Sequence, residues 1–342
     1  MSAAPDPAVS VIVPMYNRPE YIGAALASIR RQSMADFEVI CVDAGSSEPV
    51  PELVASLIAD DTRFRLIVSG MRLSGPEARN VALEQARAPV VASLDSDDVM
   101  VPGRLDLHLT TLAAEPRTVA LGGGLRVVNR DGLPCTRPAP TVSGHEGSDE
   151  LEQRPEWAQA PRTVADTAPK FSWMLPFNCP TLSSTMTVRT EALRASGGFD
   201  LVYPDCDDYG TFWRLESQGD SRVLPELAAL YRQHSQQIST DGRRRQSIQV
   251  VLLRREIMSA RLGRLVDVMS VAAATGESVT KPGAYDDGEA LCHELLEKFL
   301  AENHPSAAER QWIETDFAHR ISVIARARTR QAEPATTPLP SR

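Results

Sequence analysis

The chain of 342 residues carries 36 basic and 45 acidic side chains, so its formal net charge at pH 7 is -9. This length is sufficient for a large hydrophobic core and predicts one large domain with an appendage. The acidic balance argues against nonspecific nucleic-acid binding, no apolar run is long enough to span a membrane, and the scattered cysteines fit neither a disulfide framework nor a zinc site.

Apolar segments alternate with polar turns and helix-like stretches in the first part of the chain. The segments with strand character are Val9–Val13, Phe37–Val42, Phe64–Val68 and Val90–Leu94. Helical periodicity follows Arg18 and also covers Ala78–Arg87. This alternation predicts an α/β fold with a doubly wound, mostly parallel sheet and helices on both faces. In such sheets, ligands bind beyond the carboxyl ends of the strands.

Three carboxylates follow the fourth predicted strand, at Asp95, Asp97 and Asp98. They lie where a buried strand would reach the surface. Magnesium and manganese prefer oxygen ligands and keep positions open for substrate phosphates, so this acidic step suits a metal-nucleotide site. An isolated Asp-Xaa-Asp also occurs on solvated turns, and the surrounding sequence must therefore distinguish the two interpretations.

The chain changes character between Arg126 and Thr181, where many prolines and few periodic apolar residues predict long loops. Four aromatic residues of this stretch could either stack on a sugar or pack in the core: Trp157, Phe171, Trp173 and Phe177. Beyond it, Arg243–Arg245 form a basic run that is either a lid over a diphosphate or a solvated charge cluster.

Seven short motifs lie at characteristic spacing along the chain. They are Val9–Asn17, Phe37–Ser46, Ala78–Asn80, Leu94–Asp98, Gly197–Asp200, Asp207–Tyr209 and Tyr231–His234. In order and spacing they resemble the motifs of the family 2 glycosyltransferases. The resemblance implies a GT-A fold and an inverting transfer of a sugar from a nucleoside diphosphate sugar, with UDP favoured, to a hydroxyl of a saccharide or glycoconjugate acceptor. It also implies manganese or magnesium as cofactor and a role in bacterial polysaccharide or glycoconjugate synthesis.

The resemblance assigns one group of residues to the nucleotide sugar: Pro14, Tyr16, Asn17, Asp43, Arg79, Asp95 and Ser96. An aromatic ring can shelter a base, and a carboxylate can accept the imide N–H of uracil. Structural alternatives are core packing for Tyr16 and a turn or cap for Asp43. For Arg79 the alternative is a surface ion pair with Glu84 or Asp98.

A second group is assigned to the metal and to catalysis. The resemblance implies that Asp97 and His234 ligate the metal, and that Asp208 is the general base while Asp207 positions the acceptor or its helix. Because carboxylates are favoured at helix N-termini, simple capping is the alternative for the acidic pair. For His234 the alternative is a surface position.

The chain departs from the family pattern at three places. Ala44 replaces a second acid after Asp43, Ser74–Gly75 alters a loop, and Asp207 replaces a glutamate. Two further functions therefore stay open. One is a catalytically inactive nucleotide-binding scaffold. The other is a sugar-nucleotide nucleotidyltransferase, although that class has a glycine-rich basic loop where this chain has Pro14–Asn17.

The predicted organisation is a flexible N-terminus at 1–8, a GT-A catalytic domain at 9–240, a helical C-terminal extension at 241–330 and a disordered tail at 331–342. Residues 9–125 would bind the nucleotide sugar and residues 126–240 the acceptor. Apolar stripes predict the helices of the extension, which could support a homodimer. Since the first residues lack a basic segment and an apolar stretch, we expect a cytoplasmic protein with no nucleic-acid partner and no membrane span.

Overall fold

The computed structural model describes residues 6–47, 49–133, 168–179, 181–235, 237, 243–277, 279–281 and 283–332. The chain forms two compact units. The first comprises Met1–Ser172 with Asn178–Gln249, and the second comprises Trp173–Phe177 with Val250–Arg342. The predicted boundaries between functional regions of the chain remain predictions.

One eight-stranded sheet organises the first unit. Its strands are β1 (Val9–Met15), β2 (Phe37–Asp43), β3 (Phe64–Val68), β4 (Val90–Ser93), β5 (Val99–Met100), β6 (Thr118–Val128), β7 (Thr187–Arg189) and β8 (Asp220–Arg232). They are ordered β3-β2-β1-β4-β7-β6-β8-β5 across the sheet. The four strands predicted from the apolar runs are all present, each within two residues of its predicted ends.

Helices connect these strands and continue into the second unit. They are α1 (Pro19–Arg30), α2 (Val50–Ile58), α3 (Gly75–Gln85), α4 (Arg104–Ala114), α5 (Ala168–Met174), α6 (Thr190–Ala195), α7 (Asp207–Leu215), α8 (Arg243–Leu262), α9 (Val268–Ala274), α10 (Ala284–Asn303) and α11 (Ala307–Ala332). A 3-10 turn at Ser183–Thr185 precedes β7. Among the described residues, no helix combines the length and the apolar character needed to cross a membrane.

The sheet is mixed in direction, and the prediction of a parallel sheet applies best to its first four strands. β3, β2, β1 and β4 run parallel to one another, and every residue of β2 and β4 is buried. β7 then runs antiparallel to both of its neighbours, β4 and β6. β8 runs parallel to β6 and antiparallel to β5. The predicted α/β architecture is confirmed, and β7 and β5 are the two strands that run opposite to the other six.

The strand register sets the carboxyl ends of the central strands at one edge. Met15 of β1 lies opposite Asp43 of β2, and Ile12 lies opposite Ser93 of β4. The residues that follow each strand therefore emerge together at this edge of the sheet. This is the position at which parallel α/β sheets bind ligands.

Local capping chemistry fixes where α3 begins. The Ser74 hydroxyl accepts from the Glu77 backbone N–H, while the Glu77 carboxylate accepts from the Ser74 backbone N–H. This capping box satisfies donors that would otherwise be unpaired at the helix start. The altered Ser74–Gly75 sequence is thus a well-formed helix N-terminus, and α3 starts three residues before the predicted Ala78.

The second unit has its own apolar core. Six buried side chains of α10 and α11 contribute to it: Leu291, Cys292, Leu295, Phe299, Ile313 and Ile324. Gly288 permits close packing of α9 against α10, since a β-carbon there would meet the Ala274 nitrogen at 2.7 Å. The predicted apolar stripes of these two long helices are confirmed at these positions, while the short α9 was not predicted.

The candidate sugar-stacking aromatics are buried. Phe171, Trp173 and Phe177 are each at most 2% exposed, so core packing is the outcome for these three. Trp157 lies outside the described residues. The described cysteines at positions 41, 179, 206 and 292 are buried free thiols, as the sequence predicts.

Candidate functional site

A cleft of about 470 Å³ opens at the carboxyl edge of the sheet in the first unit. Eight of the predicted site residues line it: Pro14, Tyr16, Arg79, Asp95, Ser96, Asp97, Asp207 and Asp208. The remaining three, Asn17, Asp43 and His234, are not among the lining residues. The cleft therefore gathers residues that are more than 190 positions apart in the sequence.

Arg79 links the two acidic motifs of the cleft. It projects from α3 and is 5% exposed. Its Nη1 donates to Asp207 Oδ2 at 2.9 Å, and its Nη2 donates to Asp95 Oδ1. Burial alone would lower the pKa of the guanidinium, but the facing carboxylates, Asp207 first, raise it overall. The alternative of a surface ion pair with Glu84 or Asp98 is therefore wrong.

The acidic turn after β4 directs its carboxylates to different partners. Asp98 is 1% exposed and accepts from the Ser184 hydroxyl and from the Arg232 backbone N–H, the latter at 2.9 Å. Burial, reinforced by the neighbouring Asp97, raises its pKa well above the ordinary range. Asp98 thus joins this turn to β8 and to the 3-10 turn.

Asp97 lies between an imidazole and a guanidinium. His234 Nε2 is 2.9 Å from Asp97 Oδ2, and Arg18 Nη1 donates to the same oxygen at 2.7 Å. Burial would raise the pKa of Asp97, but the His234 contact and the Arg18 charge lower it below the ordinary value. A carboxylate must be ionised to ligate a metal ion, and this lowered pKa favours the ionised form.

His234 is not a surface residue, because its side chain is only 3% exposed. It follows β8 directly, and its ring contacts Tyr21 with ring centroids 4.7 Å apart. Carboxylate oxygen and imidazole nitrogen are both acceptable ligands for manganese, so the pair with Asp97 fits a divalent cation. Within the described residues no cluster of three or more His, Cys, Asp or Glu side chains could hold a metal. The other ligands would have to come from substrate phosphates and water.

Asp43 and Asn17 shape the loops beside the cleft. Asp43 Oδ2 accepts from the backbone N–H groups of Gly45 and Ser46 at 3.2 and 3.1 Å, while Asn17 Oδ1 accepts from the Ser47 N–H at 2.9 Å. Gly45 has φ of 81°, and a β-carbon there would meet the Met71 carbonyl oxygen at 2.6 Å. The turn-forming alternative for Asp43 is thus observed, and base binding by Asp43 remains a prediction.

Tyr16 stands at the opening of the cleft rather than in the core. It is 36% exposed, and the Arg72 guanidinium lies 3.5 Å from its ring centroid. Such stacked cation-aromatic contacts are attractive. The core-packing alternative for Tyr16 is therefore wrong.

The acidic pair of α7 lies in the first turn of the helix, but neither member is its cap. The N-cap is Cys206, which makes no side-chain capping bond. Asp207 pairs with Arg79, whereas Asp208 Oδ1 accepts from the Tyr209 backbone N–H at 2.8 Å. Burial raises the pKa of both carboxyl groups, and that of Asp208 reaches about 6. A carboxyl group with such a pKa can accept a proton near neutral pH.

Arg104, which helps to hold the site in place, was not identified from the sequence. Arg104 is 2% exposed and donates to the backbone carbonyls of Ser184, Ser93 and Met186. It therefore fixes the 3-10 turn whose hydroxyl reaches Asp98. The sequence gives no signal of this role, because the acceptors of Arg104 are backbone carbonyls that only the fold brings together.

Arg245 is the described member of the basic run that reaches the cleft. It forms an ion pair with Asp205, which is held further by Gln249 Nε2 at 2.9 Å. Asp205, Arg245 and Gln246 all line the cleft. The start of α8 thus contacts the loop just before α7. Arg245 is ion-paired beside the cleft, and closure of this segment over a diphosphate as a lid remains a prediction.

The family model described as "Glycosyl transferase family 2" matches residues 10–157. Over this range the chain is similar to the family 2 glycosyltransferases. A β-1,3-glucosyltransferase of Escherichia coli, described as acting with UDP-Glc on α-D-GlcNAc-diphosphoundecaprenol, is 31% identical over 107 residues. That match covers 31% of this chain and 42% of the relative. A Campylobacter jejuni β-1,3-glucosyltransferase is 36% identical over 29% of this chain and 32% of its own length. The chain thus spans less than half the length of these two relatives.

Solved structures extend the likeness over nearly the whole chain. Staphylococcus aureus TarS 1–349 in complex with UDP has a TM-score of 0.57 at 18% identity, covering 97% of this chain and 94% of that one. A Pyrobaculum calidifontis mannosyltransferase in complex with GDP-Man and Mn²⁺ has a TM-score of 0.54 at 18% identity, covering 97% and 90%. At this identity the likeness shows the GT-A fold. Asp207, Asp208 and His234 lie beyond the residues matched by the glycosyltransferase family model.

Proposed function

We propose that this chain is an inverting, metal-dependent glycosyltransferase that moves a sugar from a UDP-sugar to an acceptor hydroxyl. The observation that carries the proposal is the junction at Arg79. Its guanidinium joins the acidic motif after β4 to the acidic pair of α7. Both proposed catalytic residues and five of the seven proposed nucleotide residues therefore line one cleft of a size suited to a small-molecule substrate.

Asp208 is the proposed general base. Its carboxylate lines the cleft, the described Arg79 side-chain hydrogen bonds go to Asp207 and Asp95 instead, and the raised pKa of Asp208 suits proton acceptance near neutral pH. It would take the proton of the acceptor hydroxyl as that oxygen attacks the anomeric carbon from the face opposite the diphosphate. Asp207 would act indirectly, by holding Arg79 and the first turn of α7 in place.

Three side chains are proposed to place positive charge beside the donor diphosphate, two of them by holding a metal ion and one through its own guanidinium. Asp97 and His234 would hold manganese or magnesium, which when bound supplies positive charge beside the departing diphosphate. Arg79 adds a guanidinium from the floor of the same cleft, and guanidinium groups suit phosphate oxygens. Buried and fixed charges of this kind stabilise a developing anion more strongly than mobile surface charges do.

The nucleotide base is proposed to bind beside Tyr16. The exposed ring of Tyr16 and the backbone at Pro14 and Ala44 line one end of the cleft. Uridine is favoured because the E. coli relative uses UDP-Glc and the TarS structure contains UDP. Asp43 would contribute mainly by fixing the adjoining loop, and Ala44 leaves one polar contact fewer near the base.

The acceptor is proposed to be a saccharide or glycoconjugate hydroxyl in bacterial polysaccharide or glycoconjugate synthesis. Both curated glucosyltransferase relatives are named for diphosphoundecaprenol-linked acceptors, which supports this class. In this chain the acceptor would enter from the side of Pro204, Asp205 and Arg245, which line the cleft next to α7.

Nucleotide binding tests the proposal first. We expect UDP with manganese to raise the melting temperature of the protein more than UDP alone, because a ligand that binds only the folded state stabilises it. In Asp97→Ala the additional manganese-dependent shift should disappear, with each protein compared against its own melting temperature without ligand. Undiminished manganese-dependent binding by this variant would contradict the metal assignment.

The same protein samples separate the alternatives. A transferase that binds UDP should also release UDP slowly from a UDP-sugar in water or with an acceptor. Release of pyrophosphate from a nucleoside triphosphate plus a sugar phosphate would instead identify a nucleotidyltransferase. Nucleotide binding without either reaction would identify an inactive scaffold.

A further inference from the structure

Arg18 occupies the space beside Asp97 in which the metal ion of the proposed function would bind. Its Nη1 lies 2.7 Å from Asp97 Oδ2, the oxygen that also faces His234. A magnesium or manganese ion bound to this oxygen would lie about 2.1 Å from it. The guanidinium and the cation would then be two positive charges close together on one oxygen, so each weakens the binding of the other.

The backbone holds Arg18 in this place at a conformational cost. Asn17 and Arg18 have φ of 53° and 63°, in the left-handed region that non-glycine residues seldom adopt. Pro19 follows, and a residue before proline is further restricted. The Asn17 backbone N–H donates to the Ser46 hydroxyl at 2.8 Å, which anchors the loop. Strained backbone of this kind persists where the surrounding structure determines it.

Arg18 also faces the proposed donor site. It lines the same cleft as Tyr16 and Arg79, and 19% of its side chain is exposed. A guanidinium pairs well with a diphosphate, so a bound nucleotide offers Arg18 a second anion within the cleft. The ion pair with Asp97 is then one of two positions open to the same side chain.

We propose that Arg18 and the divalent cation compete for Asp97, and that the donor diphosphate resolves the competition by drawing Arg18 away. This inference rests on the proposed metal and nucleotide sites. Without nucleotide, Arg18 neutralises Asp97 and weakens metal binding. With nucleotide, Arg18 moves to the diphosphate and Asp97 becomes available. Arg18 is thus a positioning residue that makes metal binding depend on the donor.

Manganese titration by calorimetry, without nucleotide and at constant ionic strength, tests the competition. Arg18→Ala should bind manganese about three- to thirtyfold more tightly than the wild type, as expected for loss of a competing ion pair of intermediate exposure. With UDP at saturation, this advantage should shrink or reverse, because Arg18 no longer holds Asp97 in the wild type.

Arg72→Ala is the matched control. It removes the same charge from the same cleft, but Arg72 contacts the Tyr16 ring and backbone carbonyls instead of Asp97. Its manganese affinity should stay within about twofold of the wild type, since charges not in contact are screened. Arg18→Gly is a second variant that adopts positive φ freely and serves if Arg18→Ala folds poorly.

The possible results separate the two proposals. Equal or weaker manganese binding by both Arg18 variants overturns the competition while leaving the metal site standing. An equal gain in Arg72→Ala also overturns it, because the gain would then reflect the charge of the cleft. Failure of all these proteins to bind manganese, even with UDP, contradicts the metal site of the proposed function and the competition with it.

Discussion

At the scale of single residues, the site depends on which carboxylate meets which cation. Asp97 meets Arg18 and His234, Asp207 meets Arg79, and Asp208 meets only backbone donors among its described hydrogen bonds. This division of partners supports an ionised metal ligand at Asp97 and a proton acceptor at Asp208. It depends on contacts between distant segments, so the motif residues could be selected by family resemblance but their pairings could not.

His234→Ala should weaken manganese binding measured with UDP present by about ten- to a hundredfold, as for loss of a ligand or its close partner. The control is His293→Ala, which removes an exposed imidazole from the second unit. Calorimetric titration of both variants makes the comparison. Manganese affinity that is equal in His234→Ala and the wild type would contradict a metal role for His234.

The pH dependence of turnover should reflect Asp208. Burial raises its pKa to about 6, so the carboxyl group is protonated below that pH and cannot accept the acceptor proton. The neighbouring Asp207, whose pKa burial raises to about 7, titrates in the same range, so we expect kcat/KM to fall as pH drops from 7 through 6 and to level off above 7. Circular dichroism across the same range controls for unfolding. A flat profile between pH 5 and 7 in folded protein would contradict the assignment.

At the scale of elements, one buried carboxylate ties the first strands together at the edge opposite the cleft. Glu38 of β2 accepts from the Ser10 hydroxyl of β1 at 2.7 Å, from Arg65 of β3 at 3.0 Å and from the Arg87 backbone N–H at 2.9 Å. Burial alone would raise its pKa, but these donors, the Arg87 N–H first, lower it overall. Glu38 therefore contributes stability that is present above its unfolded-state pKa.

Glu38→Gln should lower the free energy of unfolding at pH 7 by about 1–3 kcal/mol, because an amide cannot replace a carboxylate that serves several donors. The difference from the wild type should vanish as pH falls through the depressed pKa of Glu38 and the carboxylate is protonated. Denaturant unfolding at pH 7 and in acid measures both effects. Glu84→Gln, an exposed change, is the control, and an equal effect of the two variants would contradict the role of Glu38.

The strands after β4 were not predicted from the sequence, and the composition of β6 and β8 gives a physical reason. β6 contains Gly122–Gly124, which in sequence favours a loop, yet a β-carbon at Gly123 would meet Ala228 Cβ at 2.5 Å. The glycines are needed for the close approach of β8, and β8 itself contains Pro225. In contrast, β1, β2 and β4 are mostly apolar and are buried by the fold, with buried polar exceptions such as Ser10 and Glu38, which is why apolar character and length were sufficient to find them.

At the scale of the whole molecule, the family model and the fold comparison support different parts of the account. The family model covers the residues that deliver Asp95 and Asp97, while Asp208 and His234 join them only through the topology of the sheet. The C-terminal helices could be predicted from their apolar stripes, but nothing in those stripes specifies a function. A homodimer through them remains a prediction.

The most direct test of the central claim compares donor binding with turnover in Asp208→Asn and Asp207→Asn. Asp208→Asn keeps the volume of the side chain but cannot accept a proton, so UDP-sugar binding by calorimetry should be retained. Transfer or hydrolysis should fall by about a hundredfold to ten-thousandfold, and Asp207→Asn should lose less. Full turnover by Asp208→Asn would contradict the account, and a larger loss in Asp207→Asn would assign the base to Asp207 instead.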